Sequence, residues 1–164
     1  MRNLNDIYKL IEKEQIILEE ISFKENIKGI YFKVPGINPT IGINISILSD
    51  TKKYISVLAE ELGHHFTSIG DLTAEAVTYS DQLNKSRQEI RARRWAANYL
   101  IDDKEILGAI LQNINTIYGL SLHFNVTEEI IKYKLISIYL KEDKYNNSVL
   151  AVMNKELIYD CCNI

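Results

Sequence analysis

The amino-acid sequence predicts an α+β fold in which a small antiparallel sheet packs on a central helix and a helical portion follows. A β-rich region with alternating apolar positions covers residues 16–45, and two segments with helical periodicity follow at residues 55–66 and 87–101. The chain has 164 residues, of which 46% are hydrophobic and 25% are charged. This length and composition are typical of one compact domain.

The region before the central helix predicts one helix and three strands. Residues 3–14 have apolar side chains at helical spacing, and residues 16–21 and 27–34 are β-rich segments that we expect to form a hairpin. Pro35 and Pro39 lie in the connection to a third strand, residues 40–45, where isoleucine alternates with other residues. We expect this third strand to accept an extended peptide through main-chain hydrogen bonds.

The central helix has one apolar face and one face that carries chemistry. Its apolar stripe follows the spacing of an α-helix and consists of Ile55, Leu58, Ala59, Leu62 and Phe66. The other side chains of this segment include two acids and two histidines. The sequence therefore predicts a helix that packs against the sheet and presents ionisable groups on its opposite side.

These ionisable groups have the spacing of a zinc-binding helix. Glu60 and His64 are one turn apart and point the same way, with Glu61 beside them. A His-Glu-x-x-His helix uses this spacing for two metal ligands and a general base, although Glu occupies the first position here. Glu61 and His65 form a second pair at the same spacing, so two registers remain open. A simple solvated helix face is the alternative to both.

The second long helix, residues 87–101, carries a possible third ligand. Glu89, Ala92 and Ala96 share one face, and small alanines allow another helix to approach closely. Glu89 could then reach the Glu60 and His64 face and complete a three-ligand zinc site. The alternative role for Glu89 is an ordinary ion pair with Arg93, four residues further along the helix.

These two segments resemble one protein family. The segments LAEELGHH at residues 58–65 and EIRARRWAANYL at residues 89–100 resemble the ImmA/IrrE family of zinc metallo-endopeptidases from bacteria, phages and integrative elements. That family combines a His-Glu-x-x-His helix with a Glu-x-x-Ala-x-x-Phe-Ala helix, and Trp95 stands here in place of the usual Phe. The similarity covers roughly residues 15–135.

The resemblance implies a role for each candidate residue. It places Glu61 at the catalytic base and His64, Glu89 and Glu60 at the zinc ligands, with Glu60 at the position of the first histidine. It also implies a zincin-like core, Zn²⁺ as cofactor and hydrolysis of a peptide bond in a protein substrate, typically a helix-turn-helix repressor of a mobile element. The replacement of histidine by Glu60 leaves an alternative, which is an inactive peptidase fold that binds a regulator without cutting it.

The sequence suggests three parts of the chain. Residues 1–102 are expected to form the zincin-like core, residues 103–142 a helical portion that resembles a helix-turn-helix, and residues 143–164 a weakly patterned tail. We do not expect DNA binding, because Glu128 and Glu129 begin the second helix of the helix-turn-helix-like portion, where they would repel phosphate.

Charge and hydropathy indicate a cytoplasmic protein. The net charge is −3, which gives no general reason to expect nucleic-acid binding. No uninterrupted apolar run approaches the roughly 18 residues of a membrane span, and no segment of signal-peptide type opens the sequence.

Overall fold

The computed structural model describes residues 2–24, 26–68 and 78–141. The tail predicted at residues 143–164 lies outside this part of the chain. The α+β class predicted from the sequence is confirmed. In chain order the elements are α1 (Leu4–Lys13), β1 (Ile17–Ile21), β2 (Gly29–Phe32), β3 (Thr40–Asn44), a short 3₁₀ helix (Ile45–Ile47), α2 (Thr51–Thr67), α3 (Tyr79–Leu100), α4 (Asp103–Leu111), α5 (Ile117–His123) and α6 (Glu128–Tyr139).

The sheet has the order β1-β3-β2 and is mixed, so the prediction of a purely antiparallel sheet is wrong. β2 pairs antiparallel with β3, whereas β1 pairs parallel with β3. The chain reverses direction between β1 and β2 and again between β2 and β3, and these two reversals leave β1 and β3 pointing the same way. The predicted hairpin of the first two strands is therefore replaced by one between β2 and β3.

The third strand lies in the centre of the sheet and is the most buried of the three. Ile41 and Ile43 are fully buried, and both edges of β3 are paired. The expectation that this strand accepts an extended peptide is therefore wrong, since its backbone groups are already used by β1 and β2. Among the strands that the structure describes, β2 contacts α2 and has one edge that pairs with no other strand.

Helix α3 begins at Tyr79, well before the predicted start at residue 87. Thr78 caps it in a capping box, in which the Asp81 N–H donates to Thr78 Oγ1 at 3.2 Å and the Thr78 N–H donates to Asp81 Oδ2 at 2.8 Å. The first turns of α3 expose Tyr79 and Leu83. They therefore lack the continuous apolar face by which a helix is recognised in sequence.

Helix α2 lies between the sheet and α3, as the sequence predicts for the central helix. Ile55, Leu58 and Leu62 of its apolar stripe are buried, whereas Phe66, at the end of the stripe, is 41% exposed. The Phe66 ring stacks on Trp95 of α3, with ring centroids 4.8 Å apart. This aromatic contact fastens the end of α2 to α3.

Helices α2 and α3 approach each other closely at Gly63. A Cβ atom built on Gly63 would overlap the main-chain carbonyl of Ala92. Ala92, Ala96 and Ala97 of α3 are fully buried, so small residues on both helices allow this approach. The two helices that carry the candidate site are therefore held in backbone contact.

The helical portion packs on the same core. One cluster of buried apolar residues extends from Ile7 of α1 to Ile138 of α6. On α6, the ammonium group of the buried Lys134 donates to Asp103 Oδ1 and, at 2.9 Å, to Asn98 Oδ1, which joins α6 to α3 and α4. The boundary at residue 102 stays a prediction, and the core is continuous across it.

In the part of the chain that the structure describes, no helix combines the length and apolar character needed to cross a membrane.

The helix contact at Gly63 generates the first prediction. Gly63→Ala should destabilise the protein by about 1–3 kcal/mol, because overpacking outweighs the gain in helix propensity. Gly108→Ala in α4 is the matched control. A Cβ there meets no atom within 4 Å, so we expect stabilisation by about 0.5–1 kcal/mol. Urea unfolding of both variants provides the measurement, and equal shifts in the same direction would contradict the packing argument.

Candidate functional site

A cleft of about 640 Å³ lies where α2, α3, β2 and the start of α6 meet. Its lining is rich in ionisable groups, most of which sequence analysis had singled out: Glu60, Glu61, His64, Glu89, Arg93 and Glu129. The cleft is the natural candidate for a functional site, because buried and half-buried charges are gathered in one concave surface.

His64 and Glu89 meet across the contact between α2 and α3. The distance from His64 Nε2 to Glu89 Oε1 is 3.4 Å. The backbone contact of Gly63 with Ala92 brings the two helices close enough for these side chains to touch. Glu89 therefore reaches the motif helix, as the small residues of α3 led us to expect.

The other ring nitrogen of His64 is held by Ser68, the residue that caps the end of α2. The Ser68 hydroxyl lies 3.0 Å from His64 Nδ1. A hydroxyl can donate or accept, so Ser68 supports the imidazole whether Nε2 carries its proton toward Glu89 or offers a lone pair to a metal. The hydrogen bond from His64 lowers the pKa of Glu89, which favours its charged form.

Two neighbouring carboxyl groups of α2 have raised pKa values, in contrast to the lowered pKa of Glu89. Burial raises the pKa of Glu61 to about 8 and the pKa of Glu60 to about 7. The Glu61 side chain is 8% exposed, and the neighbouring charges of Glu60 and Glu89 also raise its pKa. A carboxyl group with a pKa near neutrality can both accept and donate a proton, which suits it to general acid–base chemistry.

Gly29 of β2 makes room for the Glu61 carboxyl group. A Cβ atom at Gly29 would lie 2.6 Å from Glu61 Oε1 and equally close to Val57. Sequence analysis did not assign Gly29 to the site. The available signal was an isolated glycine inside a strand, which often marks a close approach by another group.

Arg93 is surrounded by three carboxylates from three helices. Its guanidinium lies 3.1 Å from Glu129 of α6, 3.7 Å from Glu89 of α3 and 3.8 Å from Glu60 of α2. From the sequence alone, Arg93 is expected only as a helix-surface partner of Glu89, and Glu129 is not indicated as part of the site. Contacts between residues this far apart in the chain leave no signal in local spacing.

His65 lies outside this group. Its Nδ1 atom is 3.0 Å from the Tyr31 hydroxyl, and its Nε2 atom is 3.5 Å from Glu14 Oε2. Both ring nitrogens therefore face β2 and α1 rather than the cleft. Of the two registers that spacing left open, this geometry favours the one that contains Glu60 and His64.

The candidate ligands His64, Glu89 and Glu60 meet only part of the geometry that a zinc ion requires. Two ligands of one tetrahedral zinc ion, each about 2.0–2.1 Å from it, lie roughly 3.3–3.4 Å apart, and the His64–Glu89 pair meets this condition at 3.4 Å. Glu60 does not join the pair, since its ion-pair partner is Arg93. In residues 2–24, 26–68 and 78–141, no group of three or more His, Cys, Asp or Glu residues is arranged to hold a metal ion.

Comparison with known proteins identifies the family. Residues 14–136 match the peptidase family described as the IrrE N-terminal-like domain. This match covers well over half of the chain, so the protein belongs to the ImmA/IrrE family, and the resemblance noted in the sequence is confirmed. The family is of the zinc-metallopeptidase type. Searches among curated proteins and among solved structures found no match. The roles of Glu60, Glu61, His64 and Glu89 stay predictions.

The separation of the two histidines generates the second prediction. His64→Ala should remove zinc from the purified protein, whereas His65→Ala should retain the zinc content of the parent, because only His64 faces Glu89. Metal analysis after dialysis provides the measurement. Loss of zinc in His65→Ala with retention in His64→Ala would establish the other register.

Proposed function

We propose that this protein is a zinc-dependent endopeptidase that hydrolyses a peptide bond in a protein substrate. The observation that carries the proposal is the position of the Glu61 carboxyl group, which is buried in the same cleft as the His64–Glu89 pair and has its pKa raised to about 8 by that burial. A buried carboxyl group is costly to the fold, and such groups are concentrated at functional sites.

Each site residue has a part in this proposal. His64 and Glu89 would hold the zinc ion. The place of Glu60 in the family motif makes it the candidate third ligand, and it would have to leave Arg93 to bind the ion. Zinc, when bound, supplies the Lewis acidity that activates water and polarises the scissile carbonyl. Glu61 accepts a proton from the attacking water at its carboxylate and returns it to the leaving amine. Ser68 keeps the His64 ring oriented.

Within the described residues one edge of β2 pairs with no other strand, and an extended substrate would bind there. Gly29, Ile30 and Tyr31 of β2 line the cleft, so a peptide added along β2 would pass beside Glu61. Main-chain pairing tolerates many sequences, and specificity then comes from side-chain contacts. Membership of the ImmA/IrrE family, rather than the cleft itself, supports a helix-turn-helix repressor of a mobile element as the substrate.

A second candidate function is binding without cleavage. The observation that favours it is the ion pair between Glu60 and Arg93, which gives Glu60 a partner other than a metal. In this alternative the cleft and the β2 edge hold a regulator in the complete absence of zinc. The two candidates differ in one measurable property, which is whether the partner protein is cut.

The role of Glu61 generates the third prediction. Glu61→Gln should keep the zinc content of the parent, because Gln preserves the shape of a residue that is not a ligand, and it should lower cleavage by about 100-fold or more. The measurement is co-expression with a helix-turn-helix repressor that the protein binds, followed by detection of two fragments and by metal analysis. His64→Ala is the control that loses both zinc and cleavage.

Intact repressor with both the parent and the Glu61→Gln protein would contradict the endopeptidase proposal. If the metal-free protein still binds that intact repressor, the second candidate function, binding without cleavage, is the correct interpretation. Loss of zinc in Glu61→Gln would instead show that Glu61 is a ligand.

The position of Glu60 generates the fourth prediction. Glu60→His should bind zinc about tenfold more tightly or better, since a neutral imidazole is a good zinc ligand and is not drawn to Arg93. Glu60→Ala should bind zinc more weakly than the parent, because it offers no ligand. Competition with a chromogenic chelator measures all three affinities. Equal affinity in Glu60→Ala and the parent would remove Glu60 from the ligand set.

A further inference from the structure

We propose that the Arg93 guanidinium competes with a divalent metal ion for the carboxylates of Glu60 and Glu89, and that Glu129 of α6 limits this competition by holding the guanidinium. The inference rests on the proposed zinc site and adds to it a residue that sets how tightly the ion is held. Nothing in the two-helix motif assigns this part to Arg93 or to Glu129.

The Glu89 carboxylate is shared between two partners. Its Oε1 atom faces His64 Nε2 at 3.4 Å, and its Oε2 atom faces Arg93 at 3.7 Å. A metal ion held by His64 and Glu89 would therefore use a carboxylate that already compensates the guanidinium. Two cations that share one carboxylate in a half-buried cleft repel each other, and this repulsion is much stronger there than in water.

The contacts of Arg93 with the two ligand carboxylates are long. At 3.7 and 3.8 Å they are ion pairs without hydrogen-bond geometry, and the Arg93 Nε atom is buried without a hydrogen-bond partner among the described residues. The guanidinium therefore attracts Glu60 and Glu89 by charge alone. A better-placed cation would displace it without breaking a hydrogen bond to either carboxylate.

Glu129 provides the short contact that anchors the guanidinium. The distance from Arg93 to Glu129 is 3.1 Å, and the guanidinium also lies 5.9 Å from the centre of the Tyr133 ring on the same helix. These contacts draw Arg93 toward α6. If Glu129 is neutralised, Glu60 and Glu89 become the remaining carboxylates near Arg93, and metal binding at them should weaken.

The experiment measures zinc affinity in the full chain, stripped of metal, by competition with a chromogenic chelator. Arg93→Gln should bind zinc about tenfold more tightly or better than the parent, since a positive charge beside the ion is removed. Arg91→Gln is the matched control. It makes the same change in net charge at an exposed position of the same helix, so it should leave the affinity within about threefold of the parent.

Two further variants test the positive charge of Arg93 and its contact with Glu129 separately. Arg93→Lys keeps the positive charge and should keep an affinity close to the parent. Glu129→Gln keeps Arg93 but loosens its anchor, and should weaken zinc binding. Circular dichroism melting curves establish that each variant is folded at the temperature of the titration.

Equal affinities in Arg93→Gln and Arg91→Gln, or tighter binding in Glu129→Gln, would overturn the inference while leaving the zinc site in place. Absence of zinc binding in the parent and in Arg93→Gln would overturn both the inference and the proposed enzyme.

Discussion

The candidate site depends on the backbone contact between Gly63 of α2 and Ala92 of α3. A side chain at residue 63 would push the helices apart by the size of a methyl group, and the His64–Glu89 distance of 3.4 Å would lengthen with it. The aromatic stack of Phe66, Trp95 and Tyr99 holds the same two helices further along. One close contact and one stack therefore fix the position of the groups that carry the chemistry.

The same packing explains why the acids of α2 are hard to ionise. Glu61 lies under β2, where Gly29 leaves just enough room for its carboxyl group, and burial raises its pKa to about 8. A fold selected only for stability would place an apolar side chain at such a position. The protein instead retains acidic groups beside a histidine and an arginine. Arg93 compensates part of the negative charge, and a proton, a metal ion or a substrate group would compensate more of it.

Much of the site could be predicted from the sequence because it depends on local spacing. The helix period places Glu60 and His64 on one face of α2, and the alanines of α3 indicate a close helix contact that brings Glu89 to His64. The pairing of Glu60 with Arg93 could not be predicted in this way. The choice between His64 and His65 could not be made in this way. It depends on Tyr31 and Glu14, which contact His65 from β2 and α1.

The fold class could be predicted from the sequence, but the order and the direction of the strands could not. Periodicity identified the strands. Strand order, however, depends on which strand buries both of its faces. Ile41 and Ile43 of β3 could not be distinguished by pattern alone from the exposed isoleucines of β1 and β2. The start of α3 was missed because Thr78 and Asp81 form a capping box ahead of an exposed, largely polar turn. Capping depends on two side chains and is easily overlooked where no apolar stripe follows.

The contacts of the helical portion show that its second helix packs against the candidate site. Its second helix, α6, could be taken for a DNA-reading helix, yet the Thr127 N–H donates to Ser56 Oγ of α2 at 2.9 Å and Glu129 pairs with Arg93. The end of α6 that would meet a phosphate backbone thus lies against the cleft and carries acids. At the other side of α6, Lys134 joins it to α3 and α4. We infer that α6 serves as a wall of the site, with Glu129 at its start holding Arg93 beside Glu60 and Glu89.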